Sequence, residues 1–194
     1  QGRCRRGRST EPGEYRERIT LREGARLVSR VPRGATIRLP AIVSDAQSGP
    51  AVIAQGLMSS EFAGFRIVGD AKTPLGVGIF VANSNVSLVD VEVWGANAAA
   101  ISFSGATAAR LVGSEIHDNP GTALAIGAGA APSITQNVFR RNGMSQRTSG
   151  TFTIEQGATP LFQRNVFVGG SPEVFSVLSE PARAKLKSDN WFLP

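Results

Sequence analysis

The stretch GAAPSITQNVFRRNG at residues 129–143 is followed, 28 residues on, by GATPLFQRNVFVGG at 157–170, with Gly, Ala, Pro, Asn, Val and Phe at the same offsets. The pair belongs to a longer series. Short β-rich runs start at Val52, Ile79, Ile101, Leu124, Phe152 and Phe175, in steps of 27, 22, 23, 28 and 23 residues. About fifteen residues into each unit comes a second run, ending on or near Ile67, Val93, Ile116, Phe139, Phe167 and Phe192. Apolar residues inside the runs alternate with a period of two, which marks strands with one buried face. Between the runs lie turns rich in Gly, Ala, Asn and Pro. These residues suit sharp bends because Gly and Asn accept a positive φ.

A unit of 22–28 residues repeated along the chain predicts a solenoid. The L-x-x-L-x-L-x-x-N pattern of leucine-rich repeats is absent, and the Gly, Thr, Val and Asn content argues against helical repeats. The expected fold is all-β: a right-handed parallel β-helix of about seven coils with two or three short strands each. Ile67, Val93, Ile116, Phe139, Phe167 and Phe192 should stack inside it. Asn137, Asn165 and Asn190 fall at equivalent corners and should hydrogen-bond along the axis. Residues 15–194 form the solenoid in this reading, and residues 1–14 a basic arm or linker. SEPARAKLKS (179–188) aligns with a last coil holding one helical turn, which would cap the open rung edges.

Two stretches carry a resemblance. EPGEYRERITLREGARLVS (11–29) resembles the opening coil of the pectin-lyase-like superfamily. The G-A-x-P…N-x-F coils resemble the right-handed β-helix repeats of carbohydrate-binding and sugar-hydrolysing modules. The resemblance implies the fold over residues 11–194. It leaves the chemistry open, because that fold hosts lyases, esterases, hydrolases, adhesins and scaffolds.

The composition narrows the rest. The net charge of +6 sits at the start of the chain, where residues 1–38 hold eleven Arg and four Glu. No aromatic residue or nucleic-acid module accompanies the Arg-rich residues 1–14, so nucleic acid is not the expected partner. No apolar run is long enough for a transmembrane helix. A single cysteine, Cys4, excludes an internal disulfide. The chain starts at Gln1, which fits a processed piece of a longer, bacterial, extracytoplasmic protein.

Aligning the second strands puts Arg66, Glu92 and Glu115 in one outward column, about 4.8 Å per rung, with Trp94, His117 and Asp118 beside it. Stacked carboxylates raise one another's pKa, and a guanidinium counters this. A raised acid next to an ionised one suits glycoside hydrolysis, so Glu92, Glu115, Arg66 and His117 are the candidate catalytic residues. Trp94, Asp118, Lys72 and Arg147 are the candidate ligand-binding residues. Extra residues at 40–50, 69–78 and 140–150 fall at one corner and would project from one side. His117 is the only histidine, so no multi-histidine metal site is expected, and no cofactor; calcium would enter only in a lyase. The expected function is a non-catalytic recognition, sensor or scaffold module that binds polysaccharide or a protein partner. The alternative is a polysaccharide lyase or glycoside hydrolase acting on an acidic polysaccharide. The helix ends or faces are where copies of the chain would associate.

Overall fold

The computed structural model describes residues 7–40, 49–144, 151–169 and 178–194. Each circuit of the chain visits three sheets in turn. The first turn is β1 (Gly7–Thr10), β2 (Gly13–Tyr15) and β3 (Ile19–Thr20), and the second is β4 (Arg26–Ser29), β5 (Ala35–Arg38) and β6 (Val52–Gln55). The third is β7 (Ser60–Ala63), β8 (Phe65–Val68) and β9 (Leu75–Ala82), and the fourth β10 (Val86–Val89), β11 (Glu92–Trp94) and β12 (Ala96–Ser104). The fifth is β13 (Arg110–Val112), β14 (Glu115–His117) and β15 (Thr122–Ile126), and the sixth β16 (Ser133–Thr135), β17 (Val138–Arg140) and β18 (Phe152–Ile154). Then come β19 (Leu161–Gln163), β20 (Val166–Val168), the helix α1 (Glu180–Asp189) and β21 (Trp191–Leu193).

Every third strand stacks in parallel on the one before. Sheet one runs β1-β4-β7-β10-β13-β16-β19, sheet two β2-β5-β8-β11-β14-β17-β20-β21, and sheet three β3-β6-β9-β12-β15-β18. This is the expected parallel β-helix, with six complete turns among the described residues against the seven expected. The strand read at Phe175, which would close a seventh turn, lies outside them.

Register follows the apolar landmarks residue for residue. In sheet two, Ile67 pairs with Val93, Val93 with Ile116, Ile116 with Phe139, Phe139 with Phe167 and Phe167 with Phe192. In sheet three, Val52, Ile79, Ile101, Leu124 and Phe152 pair in succession. A one-residue slip would turn each inward set to solvent, so burial holds the register. The Phe139 and Phe167 rings stack at 5.3 Å, and Phe167 and Phe192 at 4.8 Å. Sheet one is the part read as turns. Its strands are three or four residues long, and from β7 onward each sends one central large side chain inward, Phe62, Leu88, Leu111, Ile134 or Phe162, with Val86 a second in β10.

The bend from sheet one to sheet two is built the same way on each rung. One residue takes a positive φ: Arg33, Gly64, Asp90, Gly113, Gln136 and Arg164 in succession. In the later rungs the next residue is Ser114, Asn137 or Asn165, matched after the C-terminal helix by Asn190, and its side chain serves the rung before it. Ser114 N–H donates to Asn137 Oδ1 at 2.8 Å, Asn137 N–H to Asn165 Oδ1 at 2.9 Å, and Asn165 N–H to Asn190 Oδ1 at 2.9 Å. This is the expected asparagine ladder. A second ladder stands at the bend from sheet two to sheet three. Asn119 Oδ1 accepts from Ala96 N–H at 2.9 Å, and Asn119 Nδ2 donates to Asn142 Oδ1 at 2.8 Å.

The structure corrects several expectations. In place of a coil with one helical turn at SEPARAKLKS, Glu180–Asp189 form a ten-residue helix with Ser179 at its N-cap. Pro181 fits its first turn, the segment is rich in good helix formers, and only Leu186 is buried, so no period-two pattern exists to hold a strand. The helix packs on β19 as an end cap, and Asn190 Nδ2 donates to Leu186 O at 2.8 Å at its C-terminal end. In GDAKTPLGVG (69–78) only the first part is loop, because Leu75 to Gly78 begin β9. Strands β1 and β2 carry the first turn into the stretch read as an arm. Parallel pairing of β1 with β4 needs only backbone groups, so its sequence shows no alternation.

Candidate functional site

The three outer faces differ in charge. The strands of sheet two contribute Glu14, Arg38, Arg66, Glu92, Glu115, His117 and Arg140, whereas among the described residues the strands of sheet three contain no charged residue. The described strands therefore put many charges on one side of the prism and none on another.

On sheet two the expected column exists. Arg66 pairs with Glu92, Glu92 with Glu115, and Glu115 with Val138, which is followed by Val166. Arg66 Nε donates to Glu92 Oε2 at 2.7 Å. Glu92 Oε1 lies 3.2 Å from His117 Nε2, and His117 Nδ1 lies 2.6 Å from Asp118 Oδ2. His117 is only 8% exposed and is held between two carboxylates. Its carbonyl accepts from Asn119 Nδ2 at 2.9 Å, which ties the site to the second ladder.

Four residues that sequence reading missed complete the network. Arg140 Nε donates to Glu115 Oε1 at 3.0 Å, and Arg140 also reaches Asp118 Oδ2 at 3.3 Å. Arg141 grips Asp118 with two bonds, of 2.5 and 2.8 Å. Arg33, two rungs before Asp90, donates to Asp90 Oδ1 at 2.9 Å and to Glu115 Oε2 at 3.1 Å. Asp118 and Arg141 both have positive φ on successive rungs, which sets their side chains side by side. The signal available was the 23-residue offset between them, the same as between Ile116 and Phe139.

The electrostatics follow from these contacts. The Arg141 hydrogen bonds, reinforced by His117, outweigh desolvation and hold Asp118 at about 2, below its ordinary 3.8. At Glu92 desolvation is the largest influence and pushes upward, but the Arg66 and His117 contacts together outweigh it and leave the carboxyl below its ordinary value. The upward shift expected for a stacked acid is therefore overturned at Glu92. Oxygen and nitrogen donors of Glu92, Glu115 and His117 lie within 4.8 Å of one another, which is close enough to share a cation. The cluster does not suit one, because Arg66, Arg33 and Arg140 already bring positive charge to both glutamates and occupy their oxygens.

The remaining candidates are dispersed. Trp94 is half-buried, opposite Val68 and beside the column. Lys72 is exposed on the 69–74 loop, where its backbone N–H donates to Asp70 Oδ1 at 2.8 Å, and it does not join the network. Arg147 lies outside the described residues.

Sheet three has a different character. A depression of about 270 Å³ runs across its outer face. Phe80, Ser102, Ala125 and Thr153 succeed one another along it in register, and Ser104 and Glu155 border it. Small side chains make the floor, Phe80 stands at one end as a half-buried ring, and Glu155 is the one titratable residue of the lining. Glu155 Oε2 accepts from Ala128 N–H at 3.0 Å. The volume is just below the ~300–1,000 Å³ of typical small-molecule sites. None of the ionic network lines it.

Comparison with known proteins agrees with this architecture. The chain is similar in structure to a candidate glycosyl hydrolase from Parabacteroides merdae, at 12% identity and a TM-score of 0.58, over 83% of this chain and 81% of that one. Two pectin methylesterases also align, each over 86% of this chain and 70% of theirs. One, in complex with a hexasaccharide, shares 14% identity at a TM-score of 0.43, and PemA from Erwinia chrysanthemi shares 13% at 0.38. At 12% identity the likeness to the Parabacteroides merdae protein is one of fold. No curated protein matches the sequence. The model of the right handed beta helix region matches residues 77–177, more than half of the chain. With three parallel sheets, stacked apolar columns and asparagine ladders in place, the chain belongs to the right-handed β-helix family.

Proposed function

We propose that this chain is a non-catalytic recognition module that binds a polysaccharide along the outer face of sheet three. One observation carries the reading: the described depression on sheet three is lined by small, hydroxyl-bearing and aromatic side chains, and none of the ionic cluster of sheet two reaches it. Hydrolysis of a glycosidic bond needs two carboxylic groups in different protonation states across the scissile bond. The described depression has one, Glu155, already bonded to a backbone N–H. The carboxylates that do cluster, Glu92, Glu115 and Asp118, are each held by guanidinium groups, and Glu92 and Asp118 are shifted toward permanent ionisation. Such groups brace neighbouring rungs and are poor proton donors. A flat face with a ring at one end and hydroxyl groups beyond it suits a sugar chain, whose rings present apolar faces and hydroxyl edges. The proposal includes an extracytoplasmic setting, where such polymers are met.

The alternative, a lyase or hydrolase on sheet two, is favoured by one observation, the convergence of Arg66, Glu92, Glu115 and His117. One experiment separates the two. The protein is incubated with a panel of neutral and uronate polysaccharides, and retention and new reducing ends or unsaturated products are both measured. Retention without product is expected. Product formation that disappears in the Glu92→Gln, Glu115→Gln double variant would overturn the proposal.

A further inference from the structure

We infer that the sheet-three face selects uncharged polysaccharide and rejects uronate polymers. This rests on the reading above and adds the chemical class of the ligand. The strand segments VIAQ (52–55), LGVGIFVA (75–82), ANAAAISFS (96–104), TALAI (122–126) and FTI (152–154) contain no Lys, Arg or His. A polymer with one carboxylate per sugar would lay a row of negative charges over this face. It would meet no cation within these strands and would meet the Glu155 carboxylate at the border. Each carboxylate would give up water without gaining a partner, which is a desolvation cost with no return. Repulsion from Glu155 adds to it. A neutral chain meets neither penalty: its ring face covers Phe80, and its hydroxyls reach Ser102, Ser104 and Thr153.

The basic charge of the chain does not alter this. The guanidinium groups of Arg33, Arg66, Arg140 and Arg141 are paired on sheet two, and the remaining excess sits in residues 1–38. Discrimination of this kind is set by the group that repels the wrong ligand as much as by the contacts to the right one. Glu155 is that group, and Phe80 is the contact.

The test is affinity electrophoresis at about 0.15 M salt, where long-range attraction to the basic end is screened. Galactan, mannan and mixed-linkage glucan are compared with polygalacturonate and alginate, for wild type, Phe80→Ala, Glu155→Gln and Glu155→Lys. Phe80 points outward, so Phe80→Ala should keep its circular dichroism and melting behaviour. The readout is the retardation that Phe80→Ala removes. At least one neutral polymer should show it, with affinity at least tenfold above either uronate polymer, and Glu155→Lys should narrow that gap more than Glu155→Gln. Phe80-dependent retardation by a uronate polymer in the wild type would overturn the neutral specificity and leave the location standing. Absence of Phe80-dependent retardation with every polymer would overturn the recognition reading itself.

Discussion

Removing the Asn165 side chain should be among the most damaging single changes available outside the apolar core. Asn165 is fully buried. Its Oδ1 accepts from both Asn137 N–H at 2.9 Å and Asn137 Nδ2 at 3.0 Å, and its Nδ2 donates to Ile134 O and Asn190 Oδ1, each at 2.8 Å. In Asn165→Ala two donors on Asn137 lose their acceptor at once. A buried donor left unpaired costs about 1–3 kcal/mol, so the loss should be about 2–6 kcal/mol, with the two carbonyl acceptors adding less because oxygens tolerate underuse better. Asn165→Asp keeps the acceptor but places a charge in the interior, so it should not restore stability. The Asn137→Ala, Asn165→Ala pair shares its bonds and should cost less than the sum of the single changes. Urea unfolding followed by circular dichroism gives the free energies. Amide exchange at Asn137 and Val166 locates the damage, since a solenoid can open from one end. A loss below about 1 kcal/mol for Asn165→Ala, with Asn137 N–H still protected, would refute the view that the ladder holds these bends together.

Other consequences follow from single positions. Ser60 Oγ is buried with no hydrogen-bond partner among the described residues, so Ser60→Ala should raise stability by about 1 kcal/mol in the same urea assay. Gly95 has a φ of +77°, and a Cβ there would overlap Gly69 O, so Gly95→Ala should cost several times more than Gly113→Asn, where φ is +62° and nothing lies within 4 Å. The Asp118 shift has a pH signature. Its folded value of about 2 lies below the ordinary 3.8, so its stabilising effect is complete above pH 3.8 and is lost as pH falls toward 2. Asp118→Asn should flatten that part of an acid titration of unfolding and lower stability near neutral pH, where the wild-type ion pairs with Arg141 and Arg140 are intact.

Sheets two and three were legible because each of their strands carries a large residue at a fixed offset, from Ile67 to Phe192 and from Val52 to Phe152. That regularity predicted the Arg66–Glu92–Glu115 column and the ladder of Asn137, Asn165 and Asn190. Sheet one was illegible for a physical reason: strands such as RLV and SIT bury one side chain each and follow directly on Gly- and Pro-rich bends, so they look like turns. Helix α1 was underread because its one inward residue, Leu186, makes no pattern. The partners Arg33 and Arg141 were missed because the reach of a long side chain over neighbouring rungs cannot be read from strand alignment. LGVGIFVA and ANAAAISFS hold no charge, but a strand without charge looks the same in sequence whether its outer face binds a ligand or only meets solvent.

We place recognition on sheet three and structural bracing on sheet two. This assignment is tested most directly by measuring the affinity of one neutral polysaccharide for Phe80→Ala beside the Glu92→Gln, Glu115→Gln double variant, each checked for folding. At least a tenfold loss is expected in Phe80→Ala, and wild-type affinity in the double variant. Wild-type affinity in Phe80→Ala, with binding lost in the double variant, would contradict the assignment.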